Sequence, residues 1–179
     1  MMRMRRLGTF IAGMLALGGV SAALAQQQQG GVSALKGHNG NAPVDVNAQR
    51  LEVQDRADRA VFVGNVQVTQ GELRLDTERL TVSYSGGNGI QINRLDAAGG
   101  VTVRSPSETA KGDFGIYDLD KKLITLIGNV RLNKDDNTIS GARLVIDLDS
   151  GRAVIDGGPP GVNSSGGRVS GHFTVPQKR

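Results

Sequence analysis

The chain has 179 residues, room for one ordinary domain or two small ones, and a formal net charge of +4. Arg3, Arg5 and Arg6 supply three of those charges, so the body of the chain is nearly neutral, and with four Phe, two Tyr and no Trp it lacks the stacking rings beside a basic stripe that nucleic-acid binding uses. The absence of cysteine removes disulfides, thiolate zinc sites and cysteine nucleophiles, and His38 and His172, far apart in sequence, supply a metal site poorly.

Met1 to Arg6 is short and basic, Leu7 to Val20 is apolar, and Ala23-Leu24-Ala25 sets small residues where a signal peptidase reads. Residues 1–25 therefore read as a cleavable secretory signal. The apolar run is only 14 residues with four Gly, against the roughly 20 of a spanning helix, so the expected product is soluble and periplasmic. Gln26 to Asn41 holds four consecutive Gln, four Gly and little apolar beyond Val32 and Leu35, which makes 26–42 a flexible leader.

From Pro43 the pattern changes. Val44 and Val46, Leu51 and Val53, Ala60 to Thr69, Leu73 and Leu75, Leu80 and Val82, and Ile90 and Ile92 recur at spacing two, the period of a strand with one buried face. No comparable stretch shows the helical period. Breaks fall at turn or bulge compositions: Gly64-Asn65, Gly71, Ser85 to Gly89, Gly99-Gly100, Gly128-Asn129, Lys134 to Asn137 and Ser150-Gly151. The fold class is all-β, with at least ten short strands.

An internal repeat organises these strands. Ala60-Val61-Phe62-Val63-Gly64-Asn65-Val66-Gln67-Val68 aligns with Ile124-Thr125-Leu126-Ile127-Gly128-Asn129-Val130-Arg131-Leu132 at an offset of 64, and Arg79 to Tyr84 aligns with Arg143 to Leu148 at the same offset. A degenerate copy, Leu95 to Val103 followed by Gly112 to Leu119, lies between them, giving a unit of about 32 residues. Two strands cannot bury an apolar face alone, so the units must stack into an elongated sandwich or roll. The Gly-Asn step inside a strand pair is a bulge or kink where the sheet bends. Residues 43–156 thus form the folded body, 157–167 a Gly/Pro/Ser linker, and 168–179, with Val169, Gly171, Phe173 and Val175 on one parity, a candidate edge strand and tail.

Chemical motifs are weak. Asp147-Leu148-Asp149-Ser150-Gly151 imitates the start of a calcium loop without its later ligands and reads as a turn. Gly86-Gly87-Asn88-Gly89 has no helix after it to cradle a phosphate, and no Gly-x-Ser-x-Gly elbow accompanies the two histidines. Paired acids for sugar cleavage exist, but the chain is poor in the rings that line such clefts. The alternating aliphatic residues admit two readings, a solid core or an apolar groove open along its length to acyl chains.

At Phe62-Val63-Gly64-Asn65-Val66-Gln67-Val68-Thr69-Gln70-Gly71 the chain closely resembles the signature of the LptA or OstA-like family of periplasmic lipopolysaccharide-transport bridge proteins. The similarity continues through Leu73 to Leu80, Tyr117-Asp118-Leu119, Leu126 to Leu132, and Arg168-Val169 with Val175-Pro176. The resemblance implies a twisted, open, V-shaped β-jellyroll whose interior carries the acyl chains of lipopolysaccharide, and a binding protein without catalytic residues, metal or cofactor. It places Val44 and Val46 at the cavity mouth, and Phe62, Val66, Val68, Leu75, Leu80 and Val82 of the first repeat inward. In the middle repeat Val101, Val103, Tyr117 and Leu119 match inward positions, Val103 standing where the family has a larger ring. In the last repeat the groove residues are Leu126, Val130, Leu132, Leu144 and Ile146. The implied partners are lipopolysaccharide, an inner-membrane anchored protein and an outer-membrane barrel with related domains, and further copies of the chain joined head to tail. The competing classes are a structural β-solenoid scaffold and a secreted carbohydrate-active enzyme.

Overall fold

The computed structural model describes Leu35 and residues 38–86, 89–158 and 167–175. The expected signal peptide, most of the leader and linker residues 159–166 lie outside the described residues. Among the described residues the chain forms ten strands and a 3-10 turn at Asp55–Ala57, with no α-helix. The strands are β1 (Val44–Asn47), β2 (Arg50–Gln54), β3 (Arg59–Gln70), β4 (Leu73–Ser85), β5 (Gln91–Arg104), β6 (Glu108–Asp118), β7 (Leu123–Lys134), β8 (Asn137–Asp147), β9 (Arg152–Asp156) and β10 (Ser170–His172). All belong to one antiparallel sheet in which β3 to β8 run as a meander. The strand pairs β3–β4, β5–β6 and β7–β8 are the three repeats.

The six meander strands are 11 to 14 residues long, because the chain passes through its internal glycines without leaving the ladder. Register shifts fall between Val63 and Val66, Asp76 and Arg79, Ala98 and Val101, Lys111 and Phe114, and Ile127 and Val130. These are bulges, and they line up across the sheet into a crease. On β3, β5 and β7 the crease is made by Gly64-Asn65, Gly99-Gly100 and Gly128-Asn129, all at positive φ. Gly64 and Gly128 have φ of 86° and 81°, and Asn65 and Asn129 have 44° and 45°, so the 64-residue repeat reproduces the bulge itself. Asn129 Nδ2 donates to Asp113 Oδ2 at 2.8 Å, pinning the bulge of β7 to β6.

Edge strands are divided at the same line. β1 pairs with Gln67–Gln70 and β2 with Arg59–Val63 of β3, while β10 pairs with Thr138–Ser140 and β9 with Arg143–Asp147 of β8. The sheet therefore folds into two leaves. The first holds β1, β10 and the meander segments 66–70, 73–77, 101–104, 108–112, 130–134 and 137–141; the second holds β2, β9 and segments 59–63, 79–85, 91–98, 114–118, 123–127 and 143–147. Buried residues of both leaves, among them Val66, Val103 and Val130 of the first and Leu80, Leu95, Leu126 and Leu144 of the second, form one apolar cluster between them. This is the twisted open β-jellyroll that the family resemblance implies, and it accords with the stacked roll expected from the repeat.

Candidate functional site

Antiparallel register lays inward side chains in rows that cross the sheet. In the first leaf Val46, Val68, Leu75, Val103, Ala110, Leu132, Ile139 and Gly171 stand opposite one another in turn, strand by strand from β1 to β10. In the second leaf one row reads Leu51, Phe62, Leu80, Ala97, Gly115, Leu126, Leu144 and Ile155, and the next reads Val53, Ala60, Val82, Leu95, Tyr117, Ile124, Ile146 and Ala153. Each of these three rows is apolar from one sheet edge to the other.

The structure places every groove residue read from the sequence on this face. Val66, Val101 and Val130 stand at the crease and are almost fully buried, Val44 sits at the rim opposite Gln70, and Leu119 packs just beyond the end of β6. Leu73, Leu95, Ala110 and Ile124 belong to the same cluster and were not among the sequence candidates, although their spacing from Leu75, Ala97 and Leu126 carries the signal. Between the leaves lies a narrow apolar crevice, open at its mouth. Val44, Val68, Gln70, Leu73, Leu75 and Val103 line it from the first leaf; Leu95, Gly115, Ile116, Tyr117, Ile124 and Leu126 line it from the second. Gly115 lets Val101 and Leu126 pack closely over the strand here, since a Cβ there would meet them at 3.1 Å and 3.2 Å.

Thr77 is buried at the crease, where its Oγ1 donates to Ala98 O at 2.9 Å, and the other buried polar groups gather on the side away from it. Gln70 is 3% exposed, and its Oε1 accepts from Tyr117 Oη at 2.9 Å, a bond from one leaf to the other. The same oxygen lies 3.0 Å from His38 Nε2, while Gln70 Nε2 donates to the carbonyls of Gly40 and Ala42 at 3.0 Å each. Burial pushes the Tyr117 phenol above its ordinary pKa, and the bond to Gln70 offsets part of that rise. Leu35 is buried in the apolar cluster and its backbone N–H is donated to Glu108, itself buried at the start of β6. Leu35, His38, Glu72, Leu73 and Ser105 to Ser107 line a second, more polar hollow. Nothing in the sequence pattern marks Leu35 or the polar trio of Gln70, Tyr117 and His38 as neighbours, because three different elements bring them together.

The remaining motifs resolve into local structure. Asp147 Oδ1 accepts from the backbone N–H groups of Asp149 and Ser150 at 3.0 Å each, a tight turn whose hydrogen bonds hold the Asp147 carboxyl below the usual carboxylate range. No group of three or more metal-ligating side chains occurs among the described residues, and no helix among them is long and apolar enough to cross a membrane. What this arrangement supplies is a long apolar surface between two hinged leaves, with one buried amide and one phenol on its open side.

Comparison with known proteins bears on the whole of this region. Residues 45–152 match the family described as LptA/(LptD N-terminal domain) LPS transport protein. An uncharacterized protein of Rhizobium meliloti (strain 1021) is 32% identical over 166 residues, covering 89% of this chain and 85% of the relative. The lipopolysaccharide export system protein LptA of Escherichia coli (strain K12) is 26% identical over 109 residues, 57% of this chain and 58% of that protein. The chain thus spans a little over half the length of that relative. Among solved structures, LptH of Pseudomonas aeruginosa, described as the LptA homologous periplasmic component of the lipopolysaccharide transport device, superimposes with a TM-score of 0.67 at 20% identity, covering 75% of this chain and 96% of that one. At that identity the likeness is one of fold.

Proposed function

The chain belongs to the LptA/(LptD N-terminal domain) family of LPS transport proteins, a family of carriers and not of enzymes, and on that premise we propose that it is a periplasmic bridge component holding the acyl chains of lipopolysaccharide between its leaves. The observation that carries this reading is the set of three apolar rows on the inner face, which run from edge to edge of the sheet and border a crevice open on one side. An acyl chain laid along such rows exchanges water for aliphatic contact over its whole length, the dominant favourable term for a ligand of this kind. Only Gln70, Thr77 and Glu108 are buried polar residues among those described, so the surface discriminates against sugars and favours hydrocarbon.

The sheet edges support assembly with further copies and with related domains at the two membranes. Leu51 and Val53 occupy inward register on β2 yet are 53% and 56% exposed. At the opposite edge Val169, Phe173 and Val175, which share the parity of inward Gly171, are exposed beside β10. Unpaired edges with apolar flanks at both ends suit strand addition between copies, in a contact that need not close into a ring. The expected signal peptide ending at Ala25 supports a periplasmic location.

Photo-crosslinking along β3 and β7 tests the groove. A benzophenone side chain at the position of Phe62 captures lipopolysaccharide, whereas the same group at Gln67 or Arg131, exposed on the outer face, does not. Equal capture at both sets of positions would leave the apolar face as a plain core, the arrangement of a ligand-free scaffold.

A further inference from the structure

Leu35 and His38 to Ala42 precede the first strand in a stretch whose composition reads as a leader, yet they are tied into the groove. The Leu35 side chain is 3% exposed, its N–H is held by Glu108, and the backbone N–H of His38 donates to Leu35 O at 3.2 Å. Gly40 and Ala42 supply the two carbonyl oxygens that Gln70 Nε2 reaches. This strap spans the open side between the leaves: a Cβ on Gly40 would lie 3.7 Å from Tyr117 Oη and 3.8 Å from Lys122 Cδ on the second leaf, while Gln70 and Glu108 anchor it to the first.

Gln70 and Tyr117 line the crevice, and Leu73 lines both the crevice and the hollow beneath the strap, so the two spaces are neighbours. A buried amide must find acceptors for both of its N–H groups, and here the strap carbonyls are the acceptors. The strap therefore places in the site an aliphatic side chain and a pair of carbonyl oxygens. Those are the groups of a fatty acyl chain joined through an ester or amide.

We propose that the strap is a built-in stand-in for such a ligand: Leu35 fills the seat of a methylene segment, the Gly40 and Ala42 carbonyls fill the acceptor positions at Gln70, and an incoming acyl ester or amide displaces both. The inference rests on the acyl-groove reading and adds to it a gate and a residue, Gln70, that recognises the linkage of the chain as well as its hydrocarbon.

The chain has no cysteine, so Leu35→Cys creates a single thiol whose maleimide labelling rate reports whether the strap is seated. Without ligand, labelling is expected to be at least about 10-fold slower than for Gln67→Cys on the exposed outer face, and N-lauroyl glucosamine, an acyl amide, is expected to bring the two rates together. Adding Gln70→Leu to the Leu35→Cys chain releases the strap and speeds labelling without ligand. Calorimetry with the same amide runs in parallel on the full chain and on Leu35→Asp. Binding with an unchanged labelling rate in the Leu35→Cys chain, or fast labelling of that chain before any ligand is added, overturns the strap and leaves the groove standing. Tighter binding to the Leu35→Asp chain than to the full chain supports the strap as the gate, and binding to the Leu35→Asp chain alone overturns displacement of the strap by the ligand. No binding to either chain overturns the groove reading and the strap with it.

Discussion

Outward positions of the first leaf read Thr69, Arg74, Arg104, Thr109, Asn133 and Thr138 along one row, and Gln67, Asp76, Thr102, Lys111, Arg131 and Ser140 along the next, polar at every place. In the second leaf the corresponding rows contain Val63, Ala98, Phe114 and Ile127, and Val61, Ile116, Val145 and Val154, with charges at Arg79, Asp96, Arg143 and Asp156. The leaves share one inner surface and differ outside. In the first leaf, alternation alone separates core from solvent. In the second, aliphatic residues occur on both parities, and only pairing with neighbouring strands decides which of them are inside. Phe114 illustrates the difference: it stands beside Ala98 and Ile127 on the outer face and is 55% exposed, while the smaller Ala97 one residue from Ala98 is 4% exposed on the inner face.

The strongest way to break this comparison is to hollow the inner face of the second leaf. Leu126 is fully buried, and Leu126→Ala is expected to cost about 2–5 kcal/mol in urea unfolding, through lost burial and the cavity left behind. A cost below about 1 kcal/mol would mean that the second leaf's core lies on its other face. The crease gives a smaller and more selective effect. Gly128→Ala meets both a φ of 81° and the Asp113 side chain, whereas Gly100→Ala has the same φ of 81° and open space around it. The first is expected to destabilise by about 2–3 kcal/mol and the second by about 1 kcal/mol, so equal losses in thermal unfolding would deny that β6 and β7 lock the crease. The smallest effect belongs outside. Phe114→Thr keeps a β-forming residue at an exposed site and is expected to leave stability within about 0.5 kcal/mol.

Much of the crease was legible in the chain. Inward residues are four apart across it on β3, β5 and β7, as in Phe62 and Val66 or Leu126 and Val130, but three apart on β4 and β8, as in Thr77 and Leu80 or Gly141 and Leu144. The change of parity between Leu73-Leu75 and Leu80-Val82 is that same break, seen as spacing. Three of the glycine steps expected as breaks or bulges, Gly64-Asn65, Gly99-Gly100 and Gly128-Asn129, proved to be bulges inside continuous strands, which turns the expected series of short strands into six long ones bent at one line, while the others, such as Gly71, fall between strands. The partial burial of the leader was not legible, because Leu35, with only Val32 and Ala34 near it among polar and glycine residues, belongs to no sustained period that would place it.

By itself, the amino-acid sequence determined the strand period, the repeat of 64, the positions where Gly and Asn permit positive φ, and the supply of aliphatic side chains on one parity. These are local properties, set by the backbone freedom of single residues and by which neighbours alternate. Tertiary structure alone decided that the bulges of β3, β5 and β7 fall into register as one crease across six strands, that the two leaves close over a shared face, and that Leu35, Gln70 and Tyr117 meet on its open side. Each of those depends on pairing across tens of residues, where a shift of one position would turn the whole apolar set to the opposite face.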